Sequence, residues 1–311
     1  MSLKAALRNR PVIYEIVPPR RDTSRFNTEL RGVEDVLRDS RIVAINIPEL
    51  TNRKEQKWQV LYSPVTIPPE EYAMLIKEYK ETIVNIIAPR LKKQDFATRV
   101  EKILGNYDIP NIVLVGKERH GDVLPGPSVP EALALIGERR GERTTVGGIC
   151  IFTRNAAADN DYEAEKRLDE HRRVWLKARL GCDFVTSQIN LDQGPAVRFL
   201  SSYQDLCTKT GEPPLTVFIS LSTIPSRNIM STLDRLDVVI PPHVRKRLLQ
   251  SSDMGRESQR IATEVFQEIT GHMERNGIDV PIGLHIEQVG VNSGDLSIGL
   301  LDATYPILRE S

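Results

Sequence analysis

Thr82–Ala88 reads TIVNIIA and Asn111–Gly116 reads NIVLVG. Both runs are short, nearly all apolar and rich in β-branched residues, the pattern of strands covered on both faces, as parallel strands are. Six further runs of the same kind lie outward from these two: Val12–Val17, Ile42–Ile47, Thr145–Phe152, Asp183–Ile189, Leu215–Leu221 and Ile282–Val289. Between the runs, Glu70–Tyr79, Asp95–Leu104, Val129–Glu138, Tyr162–Leu180, Ala196–Thr210 and Arg256–Asn276 carry apolar residues three or four apart, which is helical spacing. Gly105, Gly181, Gly211 and Gly277 stand where helix C-caps are wanted. Eight strand-like runs with interleaved helices predict one (β/α)8 TIM barrel over residues 1–311, with Arg256–Asn276 as the seventh crossover helix. The rival, an open doubly wound sheet, wants GxGxxG after the first strand, and Glu15–Asp22 reads EIVPPRRD instead.

Lys plus Arg and Asp plus Glu both number 42, so neither a polyphosphate-tracking basic surface nor an acidic tail is expected, and nucleic acid is a poor ligand class. The three cysteines, Cys150, Cys182 and Cys207, lack the spacings of zinc or iron–sulfur sites, and the five histidines form neither HxxxH nor HExxH. No metal site is expected. With no apolar stretch of signal-peptide or membrane-spanning length, the composition predicts a cytoplasmic protein with no membrane partner.

Barrel enzymes carry their chemistry on the loops after the strands, and two such loops are long. The first, Pro48–Glu70, contains Trp58 and Tyr62, which suit closure over a planar ligand; the second, Gly116–Ala132, follows the fourth strand. Glu15 is a carboxylate inside an apolar strand that two prolines then end. It is either a core glutamate satisfied by a cationic neighbour or a general acid whose pKa desolvation raises. Gln188, with Ser187, Asn190 and Asp192 beside it, is either a polar strand end or a recognition edge for a heterocycle. Lys177 reads as a solvated helix residue by its charged surroundings. His285 and Glu287 alternate onto one face of the last strand.

Several segments together resemble the methylenetetrahydrofolate reductase family over nearly the whole chain. YEIVPPR at Tyr14–Arg20 resembles that family's FEFFPPK, which sets Glu15 on its catalytic glutamate, and NIVLVGK at Asn111–Lys117 resembles NILALRGD. Glu170, Lys177, Gly181–Gln188 and Asp192 resemble its pattern of an acid, a lysine, GADF, then TQ and an acid or amide. Pro213–Asn228 and Asp237–Leu248 resemble a paired turn and helix of the family, and GLHIEQVGVN at Gly283–Asn292 stands where the family has HFYTLN.

The resemblance implies a flavoprotein of one-carbon metabolism and methionine biosynthesis that reduces 5,10-methylenetetrahydrofolate, or a related C1-pterin, to the 5-methyl form. On it Glu15 is the general acid; Gln188, Ser187 and Lys117 contact the pterin; and Gly116, Lys117, Glu170 and Lys177 hold the flavin. FAD is the implied cofactor, with FMN or none as alternatives, and the electron donor is NAD(P)H or a partner protein. A homo-oligomer or a complex with a redox partner is expected. The chain departs from the family at Lys117, where the family has Asp beside flavin and pterin, at Pro89 and Arg90, and at Ile149 and Cys150. An Asp-to-Lys exchange reverses local charge by two units, so a folate-binding C1 or methyl-transfer enzyme, or a redox-complex subunit, that has lost flavin stands as the alternative.

Overall fold

The computed structural model describes residues 2–19, 33–50, 66–116, 124–154, 169–289 and 294–310. Lys117, Trp58, Tyr62 and the first turns of the helix expected from Tyr162 lie outside the described residues.

Eight strands close a parallel barrel in sequence order: β1 Val12–Glu15, β2 Ile42–Ile47, β3 Glu81–Ile87, β4 Asn111–Val115, β5 Thr145–Cys150, β6 Phe184–Ser187, β7 Thr216–Ser222 and β8 Ile282–Glu287. The expected (β/α)8 architecture is therefore the observed one. The continuous apolar runs are legible because these strands are covered on both faces: β7 is buried at every position, and β3 at every position after Glu81. β1, β5, β6 and β8 end short of expectation, at Glu15, Cys150, Ser187 and Glu287; Pro18 and Pro19 follow β1, and Glu170 accepts from the Ile151 N–H after β5.

Two compact units divide the chain. One comprises Met1–Ala6, Pro11–Ile149 and Leu180–Asp183; the other comprises Leu7–Arg10, Cys150–Arg179 and Phe184–Ser311. The first contains β1 to β4 and most of β5, the second β6 to β8.

Three of the crossover helices begin at side-chain caps. Ser128 and Glu131 form a reciprocal capping box at the start of Val129–Gly137, Asp192 caps Gln193–Thr210, and Asp253 caps Met254–Asn276. In that last helix Ile261, Val265, Ile269 and Met273 are all buried, as their four-residue recurrence predicts, and the helix lies between β7 and β8 in the chain. Gly211 and Gly277 end their helices at φ 71° and 61°, and Gly181 follows another at φ 93°. Gly105 does not act as a cap. It sits inside a π-helical turn, Lys102–Asn106, that Tyr107 closes by donating to the Lys102 carbonyl, and the left-handed step falls instead on Asp108 at φ 50°.

Helices Leu3–Ala6, Glu34–Arg38, Arg227–Arg235, Pro242–Gln250 and Gly294–Glu310 add to those expected. The last of them continues past Pro306, a residue that masks helical reading.

Candidate functional site

In the first unit, β1 ends on Glu15, and the parallel register sets Asn46 of β2 opposite it. Asn46 Nδ2 donates to Glu15 Oε2 at 2.9 Å. A neutral amide on the neighbouring strand is thus one partner of this carboxylate. The Asn46 side chain is 2% exposed, and its Oδ1 has no hydrogen-bond partner among the described residues; the same holds for Asn85 Oδ1 on β3. Asn46 pairs with Ile83, and Asn85, two residues on, shares that face. One strand face therefore carries a carboxylate and two amides whose buried carbonyl oxygens accept nothing from the described chain. An unsatisfied buried acceptor costs about 1–3 kcal/mol, the kind of cost a folded chain keeps where a ligand repays it.

The same unit holds a buried ion-pair strut. Arg99 donates to Glu49 Oε1 at 2.7 Å and to both oxygens of Glu70 at 3.1 and 2.9 Å, while Glu49 Oε2 accepts from the backbone N–H of Ile87 at 2.6 Å. It ties the chain just after β2 to the end of β3. Sequence reading passed over Arg99 and Glu49, because a single charge in a helix or loop gives no sign of being buried.

In the second unit, Glu170 and Lys177, both given to the flavin by the resemblance, lie close to each other. Lys177 Nζ is 3.7 Å from Glu170 Oε1 and is 14% exposed, so it is not the solvated residue that its charged helix suggests. Glu170 itself is 2% exposed. Its carboxylate accepts from the Ile151 N–H and from Arg154, with Arg173 at 4.0 Å. The carboxylate is consumed holding the turn after β5. Gly116 follows β4, where among the described residues a Cβ would meet the Val129 side chain at 3.4 Å.

Ser187 is fully engaged within the protein: its hydroxyl donates to the Gln188 carbonyl and accepts from Asn190 Nδ2 and the Ser220 N–H. Asp192 is spent as a helix cap. Gln188 Nε2 donates to the Leu236 carbonyl at 3.0 Å, and the residue lines a small cavity of about 40 Å³ with Phe152, Thr153, Asp192, Val239 and Pro241. That volume suits water rather than a bicyclic ring.

The last two strands carry a polar ladder. Ser220 stands opposite His285 and Ser222 opposite Glu287. Ser220 Oγ donates to the Ser187 carbonyl at 2.6 Å and lies 2.8 Å from His285 Nδ1. With its only proton spent on that carbonyl, the hydroxyl accepts from Nδ1–H, which fixes the ring's tautomer. His285 Nε2 is buried and has no partner among the described residues. Burial holds the imidazole neutral, its pKa pushed down to about 3. Glu287 Oε1 lies 3.5 Å from Nδ1, and burial raises this carboxyl to about 7. The sequence paired His285 with Glu287 by strand alternation and gave no sign of the serines.

Among the described residues no group of three His, Cys, Asp or Glu side chains could hold a metal ion, and no helix is long and apolar enough to cross a membrane.

No family model and no curated protein matches the chain. Solved structures do. An uncharacterised protein from Clostridium thermocellum that binds two copies of 5-methyl-5,6,7,8-tetrahydrofolic acid superposes with a TM-score of 0.73 at 20% identity, over 99% of this chain and 98% of that one. The spore cortex-lytic enzyme SleL of Bacillus cereus gives 0.50 at 9% identity over 94% and 74% of the two chains. A GH113 β-1,4-mannanase gives 0.50 at 11% over 95% and 98%. At these identities the likeness is one of fold, and barrels of this kind host many chemistries.

Proposed function

We propose that the chain binds a reduced folate carrying a one-carbon unit, and that Glu15 protonates the folate nitrogen that releases the methylene carbon of 5,10-methylenetetrahydrofolate. The observation that carries this reading is the Glu15–Asn46 pair at the C-terminal end of β1, a carboxylate held at 2.9 Å by an amide whose other end is buried and unspent. Its position supports the reading, since barrel ligands are met at the C-terminal ends of the strands. Support also comes from the Clostridium thermocellum protein, whose chain aligns with this one almost end to end and binds a methylated folate.

Protonation opens the five-membered ring and leaves an iminium carbon ready for a hydride or another nucleophile. In the resemblance the hydride comes from FAD. A second reading, favoured by the commitment of Glu170 to the Ile151 N–H and Arg154, is a folate-binding C1 enzyme without flavin. The absorbance of the purified protein separates the two: a flavin spectrum supports the reductase, and a colourless protein that binds folate supports the flavin-free enzyme.

The test of Glu15 uses an external trap. Mixed with 5,10-methylenetetrahydrofolate and cyanoborohydride, the wild type is expected to speed formation of 5-methyltetrahydrofolate. Glu15→Gln, which keeps size and hydrogen-bonding reach, is expected to slow it by about 10² to 10⁴, the worth of a positioned general acid. Equal trapping rates, or a thermal midpoint that collapses in the variant, would make Glu15 a structural partner of Asn46.

A further inference from the structure

Glu287 is a second carboxyl at a strand's C-terminal end, and the ring-opening step leaves it without a task. We propose that Glu287 is a ligand-binding carboxylic acid of the second unit that offers a neutral O–H donor to a carbonyl oxygen of a reduced folate. The proposal rests on the folate reading of the barrel.

Three features of the second unit support it. Among the described residues, the ion-pair partner within reach of Glu287 is His285, at 3.5 Å. That imidazole is held neutral by geometry: Nδ1–H is committed toward Ser220, and protonating the buried, partnerless Nε2 would add both a charge and an orphan donor. No cation is therefore offered to the carboxyl from its own strand. From β7 the facing groups are hydroxyls, with Ser222 Oγ donating to the Glu287 backbone carbonyl at 2.7 Å. The helix Gly294–Glu310, which follows β8, turns Ser297, Leu300, Leu301 and Thr304 inward and keeps Asp295 and Asp302 exposed. Finally, the Glu287 side chain is 17% exposed, so an edge of the carboxyl remains reachable. A desolvated carboxyl with neutral neighbours on β7 and β8 keeps its proton near neutrality, and a protonated carboxyl supplies the O–H donor that a carboxylate lacks.

Two measurements test this together. An infrared difference spectrum of wild type minus Glu287→Gln at pH 6 is expected to show the carbonyl band of a protonated carboxylic acid. Titration with 5-methyltetrahydrofolate is expected to give Glu287→Gln, which keeps a donor, an affinity within about 3-fold of wild type, and Glu287→Ala an affinity lower by about 10- to 100-fold at an unchanged thermal midpoint. Absence of the protonated band, or a Gln variant as weak as the Ala variant, overturns the proposal and leaves the folate reading standing. A protonated band in a wild type that does not bind the folate removes the folate reading, and the folate acceptor with it.

Discussion

Two buried groups five ångströms or less from each other can titrate in opposite senses, and His285 with Glu287, 3.5 Å apart, do so. The His285 pKa is depressed to about 3, so its contribution to stability is present above the unfolded value of 6.5 and is lost as pH falls toward 3. The Glu287 pKa is raised to about 7, so its contribution is present below the unfolded value of 4.5 and is lost as pH rises through 7. From pH 4.5 to 6.5 the folded pair and the unfolded pair each hold one proton, and the two slopes cancel. Single substitutions expose them. The stability of wild type relative to Glu287→Gln is expected to fall as pH rises from 4.5 to 7, and that relative to His285→Asn to rise as pH rises from 3 to 6.5, each by up to about 1.4 kcal/mol per pH unit. Urea unfolding at stepped pH measures both; differences that do not change with pH would mean the two groups titrate normally in the fold.

At the level of elements, the loops after the strands are held by specific close approaches. Gly126, in the loop after β4, donates to the Pro89 carbonyl at 2.9 Å, and a Cβ there would lie 2.0 Å from the Leu91 carbonyl oxygen and 2.5 Å from that of Ala88. Backbone oxygens cannot step aside as a flexible side chain can. Gly126→Ala is therefore expected to destabilise by about 1–3 kcal/mol, the range for forced overpacking; an unchanged denaturation midpoint would show that the loop shifts freely. The strut at Arg99 makes a larger demand. Arg99→Met leaves Glu49 and Glu70 buried without their cation, expected to cost about 3–5 kcal/mol in urea unfolding. A loss under 1 kcal/mol would indicate that water reaches the two acids.

These elements also show what a sequence reveals. The strands were legible because a strand covered on both faces has little choice but to be apolar, and Glu15 stood out as a charge within such a run. Asn46 and Asn85 carry the same signal more faintly, since an uncharged amide in a strand is ordinary. By sequence Gln188 with Ser187 is either a polar strand end or a recognition edge; the structure turns Ser187 to internal bonds and Gln188 Nε2 to the Leu236 carbonyl. Whether a hydroxyl or amide serves a ligand or its own backbone depends on partners up to 48 residues away, which local pattern does not contain. Glu170 and Lys177, two helical turns apart, were identifiable as a pair, whereas the Ile151 N–H that occupies Glu170 was not.

For the whole molecule, the closed strand order β1 to β8 predicts one cooperative unfolding transition, because opening any part of a closed barrel strips partners from its neighbours. Calorimetric and van't Hoff enthalpies should then agree, and two resolved transitions would mark separately folding units. The central claim, that this barrel binds a reduced one-carbon folate, is tested most directly by calorimetric titration of the wild-type protein with 5-methyltetrahydrofolate. Saturable binding at a defined stoichiometry, retained in Glu15→Gln because that variant loses only the proton, is the predicted result. A titration that shows no saturable heat, with the protein folded by its thermal transition, would contradict it.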